Sequence, residues 1–356
     1  MHLDHTGIPE EYTAHIGRKI TFVTAAVFLL AALLVASVCM GAVRIPAKEV
    51  LAAILGGASD GRYDIIIWQI RMPQALTAIA AGAGLAAAGA MMQSILRNPL
   101  GSPFTLGISH AAAFGAALSV MIFEPGSAGG ADSAGIDKLG LYTVTFSAFV
   151  FSLIATFIII AISRARKASP EVMVLAGVAL GSLFTAGTMF LQYFADDVEL
   201  AAMVFWTFGD VGRASWSELG LIAVVLMAVA AYGFANRWNY NAIDAGDETA
   251  RGLGVRVEWI RLAGMLAASL ITAVVVSFLG IIGFVGLVCP HMVRRLIGDD
   301  HRFLLPGTCV AGALLLLAAD TAARLVLAPH VLPVSILTSF LGAPVFIYLI
   351  IRGYNK

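Results

Sequence analysis

Eight charged side chains fall in a single run between Asn236 and Arg261: Arg237, Asp244, Asp247, Glu248, Arg251, Arg256, Glu258 and Arg261. Charges so dense, between two long apolar blocks, must stand in water, because an unpaired charge in a hydrocarbon layer costs several kcal/mol. Mixed carboxylates and guanidiniums suit ion pairing and docking rather than proton transfer. The run holds helix formers interrupted by glycines. It predicts two short helices over residues 242–254, broken at Gly246. Asp247 is placed to cap the second helix, and Gly252 or Gly254 to end it.

The other chemically capable residues are sparse. No G-x-x-x-x-G-K-[ST] loop is present to cradle the phosphates of ATP, and no H-E-x-x-H to hold a catalytic zinc. Cys39, Cys289 and Cys309 have no metal or disulfide spacing and read as small core residues. His110 lies in an apolar stretch, where a hydrogen-bonded packing residue and a ligand are both open readings. His291 follows Pro290 and reads as a helix-terminus cap. Asp320 and Arg324, at i and i+4, share a helix face and can pair with each other. The G-x-G beginning at Gly82 follows no strand and is no nucleotide fingerprint.

The elements that must position these residues follow from composition. Of 356 residues, 60% are hydrophobic and 12% charged; a soluble domain has about twice that charged share. The balance of 22 basic and 22 acidic residues points away from nucleic acid. Runs free of charge fit the ~17–25 residues of a spanning helix. They are Ile20–Val43, Met72–Leu96, Asn98–Phe123, Leu139–Ser163, Val172–Ala195, Leu219–Asn236, Phe303–Ala319 and Val334–Ile351. Leu262–Val293 is long enough for two passes, divided at Gly280–Gly286, and Pro290 makes the second short or kinked. This gives ten spans, with both termini on one side. Leu200–Gly209 is too short to span and reads as a re-entrant or interfacial helix. With ten passes, Lys and Arg favour the N-terminal side about two to one, the bias of a cytoplasmic face. The charged run then lies in the cytoplasm. The expected organisation is a cytoplasmic segment 1–19 and a single membrane domain 20–356, with the polar loop at about 237–258. Small residues around Gly82, Gly84 and Gly89, and the G-x-x-x-G of Gly177 and Gly181, suit close helix packing.

Several blocks resemble the FecCD-type permeases of type II ABC importers, which take up iron–siderophores, haem and cobalamin. They are WQIRMP at 68–73, GAMMQSILRNPLGSP at 89–103, LGIS at 106–109, LAGVALG at 175–181 and AGDETARGLG at 245–254. They continue with IGFVGLVCPH at 282–291, DHRFLLPG at 300–307, ADTAAR at 319–324 and LPVSILTSFLGAPVF at 332–346. The resemblance covers nearly all of the chain after residue 60. It implies an all-α, cobalamin-importer-permease-like fold of ten transmembrane helices per subunit, with short gate and coupling helices. It further implies a multi-pass protein of the inner or plasma membrane and a homodimer with the pathway between subunits. Two ATPase subunits carrying ATP and Mg would sit below, and an extracytoplasmic binding protein above; this chain would be no enzyme and bind no cofactor or metal. A secondary carrier remains the alternative class, expected to show a mid-membrane ion site and two similar halves. Neither is evident.

Site roles follow from the same resemblance. Ala242, Asp244, Gly246, Asp247, Glu248, Arg251 and Gly254 would form the ATPase-coupling element. Asn98, Pro99 and Leu100 would close the cytoplasmic gate. The second family constriction is usually rich in Ser and Thr and reads Ser169-Pro170-Glu171 here, a departure. The fifth span (Met189, Phe190, Gln192, Tyr193), the short helix and the last span would line the pathway. Arg71 and Arg324, carried to the outer surface, would receive carboxylates of the binding protein; Gln74 stands where the cobalamin relative has a third basic residue.

Overall fold

The computed structural model describes residues 10–41, 43–56, 61–123, 133–166 and 169–353. Residues 1–9 of the expected N-terminal segment lie outside them. All regular structure among the described residues is helical. The outer elements come first: α1 (Glu10–Cys39), α2 (Ala47–Ile54) and α3 (Gly61–Ile65), the last running through a π-turn (Ile66–Arg71) into α4 (Met72–Ile95). Then follow α5 (Ile108–Phe123), α6 (Ser133–Ala165), α7 (Pro170–Phe194), the short α8 (Asp197–Thr207) and α9 (Trp216–Ala235). The polar run forms α10 (Arg237–Asp244) and α11 (Asp247–Gly252). The chain closes with α12 (Val257–Leu279), α13 (Val285–Ile297), α14 (His301–Leu325) and α15 (Val334–Gly353).

Each of the ten apolar runs corresponds to a helix. Seven helices are long and apolar enough by themselves to cross a bilayer; α5 and α15 carry shorter apolar stretches. The 13 residues of α13 span only about 20 Å. The cause is the break before it: Gly280 takes φ 78° and Phe284 φ 66°, and residues 280–284 are not helical.

Helix α4 is the axis of the molecule. It is buried on all sides, with α14, α12, α13 and α9 packed around it. Its alanines and glycines make this possible, since small side chains let backbones meet. A Cβ on Gly82 would stand 2.3 Å from the Gly312 carbonyl oxygen of α14, and one on Gly89 would stand 1.7 Å from that of Gly286 in α13. The Gly177/Gly181 ridge of α7 receives the turn before α5 instead: a Gly177 Cβ would meet Leu106 Cα at 2.7 Å.

Several helices start before the expected residue, α1 at Glu10, α6 at Ser133 and α10 at Arg237 among them; two further differences have a clear local cause. The run Asn98–Phe123 is helical only from Ile108, because Pro99, Gly101, Pro103 and Gly107 (φ 76°) turn the chain first. Freedom from charge is not helix. The short helix begins at Asp197 rather than Leu200. Its start is set by a capping box in which the Val198 and Glu199 amides donate to Asp196 Oδ1, both at 2.8 Å, and the Asp196 amide donates to Glu199 Oε2 at 3.0 Å.

Many hydroxyls in the apolar helices bond to their own backbone. On α7, Ser182, Thr185 and Thr188 donate to the carbonyls four residues back at 2.8–3.0 Å. Thr272 of α12 does the same at 2.8 Å.

Candidate functional site

The charged run folds as the elbow its glycines dictate. Gly246 holds φ 119° between α10 and α11. After α11, Gly254 (φ 84°) closes a Schellman turn in which the Gly254 amide donates to Arg251 O at 3.0 Å and the Val255 amide to Ala250 O at 2.9 Å. Ala242, Ile243, Ala250 and Val257 form a small core that holds the two helices together. Ala245, Glu248, Arg251, Leu253 and Gly254 remain exposed at the tip.

Asp247 does not cap α11. Gly246 occupies the cap position, and the Asp247 carboxylate instead takes a bidentate pair from Arg261, with Nη1 at 2.8 Å and Nη2 at 2.7 Å. Arg261 is 1% exposed, and its Nε donates to the Ile95 carbonyl at 2.7 Å. One buried guanidinium thus ties the elbow to the last turn of α4. The Arg261 hydrogen bonds hold the Asp247 carboxyl below the usual carboxylate range. A second tie runs through His301, which is fully buried: its Nε2 lies 2.8 Å from Ser94 Oγ of α4 and 3.0 Å from Asp244 Oδ2 of α10. Beside it, Asn241 donates to Asp300 at 3.1 Å. Burial works to raise the Asp300 carboxyl, but hydrogen bonds from Arg302 and Asn241 outweigh it and hold it at about 2. Sequence reasoning missed Arg261 and His301 as site residues. The signal available for Arg261 was a charge at the very mouth of an apolar run.

Just past α4 the chain reverses. Arg97 adopts the left-handed conformation (φ 46°), and the Arg97 and Asn98 amides donate to Ser94 O and Gln93 O, each at 3.0 Å. Asn98 Oδ1 accepts the Leu100 amide at 2.9 Å, and Asn98 O accepts the Gly101 amide at 2.9 Å. Asn98-Pro99-Leu100 is therefore a tight turn, with Leu100 exposed. Ser169, at the N-cap of α7, bonds the Glu171 carboxylate rather than a backbone amide. Ser169 and Pro170 border a cavity of about 450 Å³ together with Arg97, Asp247, Arg251 and Arg261. The structure thus brings the Ser169 loop against the elbow, while Asn98 and Leu100 lie outside that lining.

On the opposite end, the surface position expected of Arg71 is not observed. Arg71 is buried, and its guanidinium donates to the carbonyls of Val38 at 2.6 Å and Cys39 at 3.2 Å, and to that of Val43. It closes the C-terminus of α1, whose last carbonyls have no helical partners. Arg324 pairs with Asp320 at 3.0 Å and donates to Ser37 Oγ at 2.7 Å. Gln74 donates to the other Asp320 oxygen at 2.8 Å. Arg71→Ala is expected to cost about 1–3 kcal/mol, the loss typical when buried carbonyls are left unpaired. Thermal unfolding in nanodiscs checks this; unchanged stability would remove the capping role.

The proposed wall residues divide. Met189, Phe190 and Tyr193 are exposed along α7, and Gln192 is half-buried. Met189 lines a cavity of about 530 Å³, shared with His110 and Gly181. His110 Nδ1 is buried without a partner among the described residues, as are both ring nitrogens of His291, which caps nothing. A separate cavity of about 420 Å³ lies among the turn before α5, α8, α12, the 280–284 break and α15, with Thr105, Thr207, Thr272, Ser335 and Ser339 in its lining.

A profile of the FecCD transport family matches residues 29–352. The chain belongs to that family. An ABC transporter permease protein of Methanocaldococcus jannaschii is 51% identical over 98% of this chain and 99% of the relative. A hemin transport system permease protein of Yersinia pestis is 39% identical over 80% of this chain and 83% of the relative. A solved structure described as an inward-facing conformation of a metal-chelate type ABC transporter superposes with a TM-score of 0.80 at 30% identity, covering 93% of this chain and 99% of the other. The protein is thus an ABC importer permease of the FecCD family, all-helical and multi-pass. The elbow is thus part of an ABC transporter permease.

Proposed function

We propose that two copies of this permease form a translocation pathway for a metal chelate, iron–siderophore or haem, in the inner or plasma membrane. An extracytoplasmic binding protein delivers the cargo, and two separate ATPase subunits, holding ATP and Mg, drive the cycle. The excess of Lys and Arg on the elbow's side supports a cytoplasmic elbow and cytoplasmic termini. The observation that carries the reading is the Arg261 tie. A push on the exposed tip of α10–α11 reaches the end of α4, and with it the Asn98 turn, through a buried bidentate pair rather than a slack loop. The same machinery would serve cobalamin or an oxyanion such as molybdate, and cargo is decided by uptake assays with the cognate binding protein.

The test of coupling is a variant with residues 246–251 replaced by a Gly/Ser linker. Its membrane helices should fold, while ATP hydrolysis no longer drives uptake. Uptake at the wild-type rate would overturn the coupling role. Copurification separates the class: an importer brings down a Walker-motif ATPase, whereas a secondary carrier transports alone.

A further inference from the structure

The cavity beside the elbow holds charges that the coupling role does not use. It is framed by the end of α4 (Leu96, Arg97), the end of α6 (Arg166), the start of α7 (Ser169, Pro170, Glu171), α11 (Asp247, Arg251) and Arg261 of α12. Four guanidiniums face two carboxylates. Arg261 and Asp247 satisfy each other and form the floor. The other three arginines are weakly countered. Arg97 approaches Asp247 only to 4.0 Å and Arg251 approaches Glu258 only to 3.9 Å, with both arginines about half exposed. Arg166 is exposed, and its guanidinium makes no hydrogen bond or ion pair among the described residues. The positive end of the 25-residue α7 adds to the same field. The Glu171 carboxylate is engaged by Ser169. What is left is an excess of two positive charges around a polar space of about 450 Å³.

We propose that this cavity binds an anion of the phosphate class, with Arg97, Arg166 and Arg251 supplying forked N–H donors. Its negative charge answers the excess of positive charge, and its oxygens can reach three separate elements. A bound anion would tie the reversal after α4, the end of α6 and the coupling helix into one unit, a brake set by an anion on that face. The cytoplasmic origin of the anion rests on the orientation proposed above; the binding itself does not. The occupant's source is either a free phosphate compound or a phospholipid headgroup.

The test uses the full chain in nanodiscs of zwitterionic lipid, titrated with inorganic pyrophosphate at low salt by calorimetry. Both faces of a nanodisc are open and no ATPase is needed, so the result is independent of orientation and of coupling. Saturable binding is expected, weakened about tenfold or more in Arg166→Gln and in Arg97→Gly, as for loss of a charge-assisted contact. Arg166 is exposed, and glycine suits the left-handed position of Arg97, so both variants should fold. In discs doped with phosphatidylglycerol, native mass spectrometry reads the second source. Retained anionic lipid that displaces pyrophosphate, and is lost in the same variants, assigns the site to a headgroup. Pyrophosphate binding untouched by the doping assigns it to a free anion. Absence of both pyrophosphate binding and lipid retention, or binding unchanged by both substitutions, overturns the proposal.

Discussion

Gly89→Ala should abolish assembly of the membrane fold. The added methyl would lie 1.7 Å from Gly286 O and 2.5 Å from Gly286 C, atoms of a backbone that cannot rotate away. Overpacking a core usually costs about 1–3 kcal/mol because side chains yield; here α4 and α13 must separate, and α4 is gripped by α14 along the same length. Gly82→Ala meets the same obstacle at Gly312, where each glycine faces the other's carbonyl at 2.3 Å. Gly220→Ala in α9 and Gly283→Ala meet nothing within 4 Å and serve as controls. Size-exclusion profiles and thermal unfolding of the four variants check this. A monodisperse Gly89→Ala protein with unchanged stability would refute the close approach.

Arg261→Ala is the second large effect. It strands Asp247 and the Ile95 carbonyl together. Breaking a buried ion pair costs about 3–5 kcal/mol, and about 3 is expected here because Asp247 keeps some contact with water. The loss should be local: faster amide exchange over α10 and α11, with α12 and α14 protected as before. Uptake should fall while the permease still inserts. Arg261→Lys cannot make the fork and should rescue only in part. The pair also predicts a pH dependence. Asp247 has its folded-state pKa depressed, so its contribution is present above the ordinary carboxylate value and is lost as pH falls through the folded one. The elbow should therefore loosen in acid before the membrane helices do. Uniform exchange across both regions would contradict this.

The positions of the helices were readable because lipid-soluble helices need long apolar runs, and the elbow was readable because Gly246 interrupts a polar one. The divided run at 280–286 was readable from its glycines for the same reason. What was not readable depends on partners distant in the chain. Asp247 is a plausible cap when only its neighbours are known; Arg261, itself held by a carbonyl 166 residues away, takes it instead. Arg71 looks like a surface charge until the end of α1, some 30 residues earlier, is placed over it. The stretch 98–107 lacks charge yet is not helix, since its prolines and glycines act on backbone geometry, to which a hydropathy window is blind.

The hydroxyls of α7 and α12 have a consequence for whatever solute meets them. Ser182, Thr185, Thr188 and Thr272 have each given their one proton to a carbonyl of their own helix. So have Thr105 and Thr207, at 2.8 and 2.7 Å, to carbonyls three residues back. These six hydroxyls therefore offer a solute lone pairs but no hydrogens. Wherever they line the pathway proposed above, an anionic cargo finds in them no donor to replace its hydration shell and passes without being held by them.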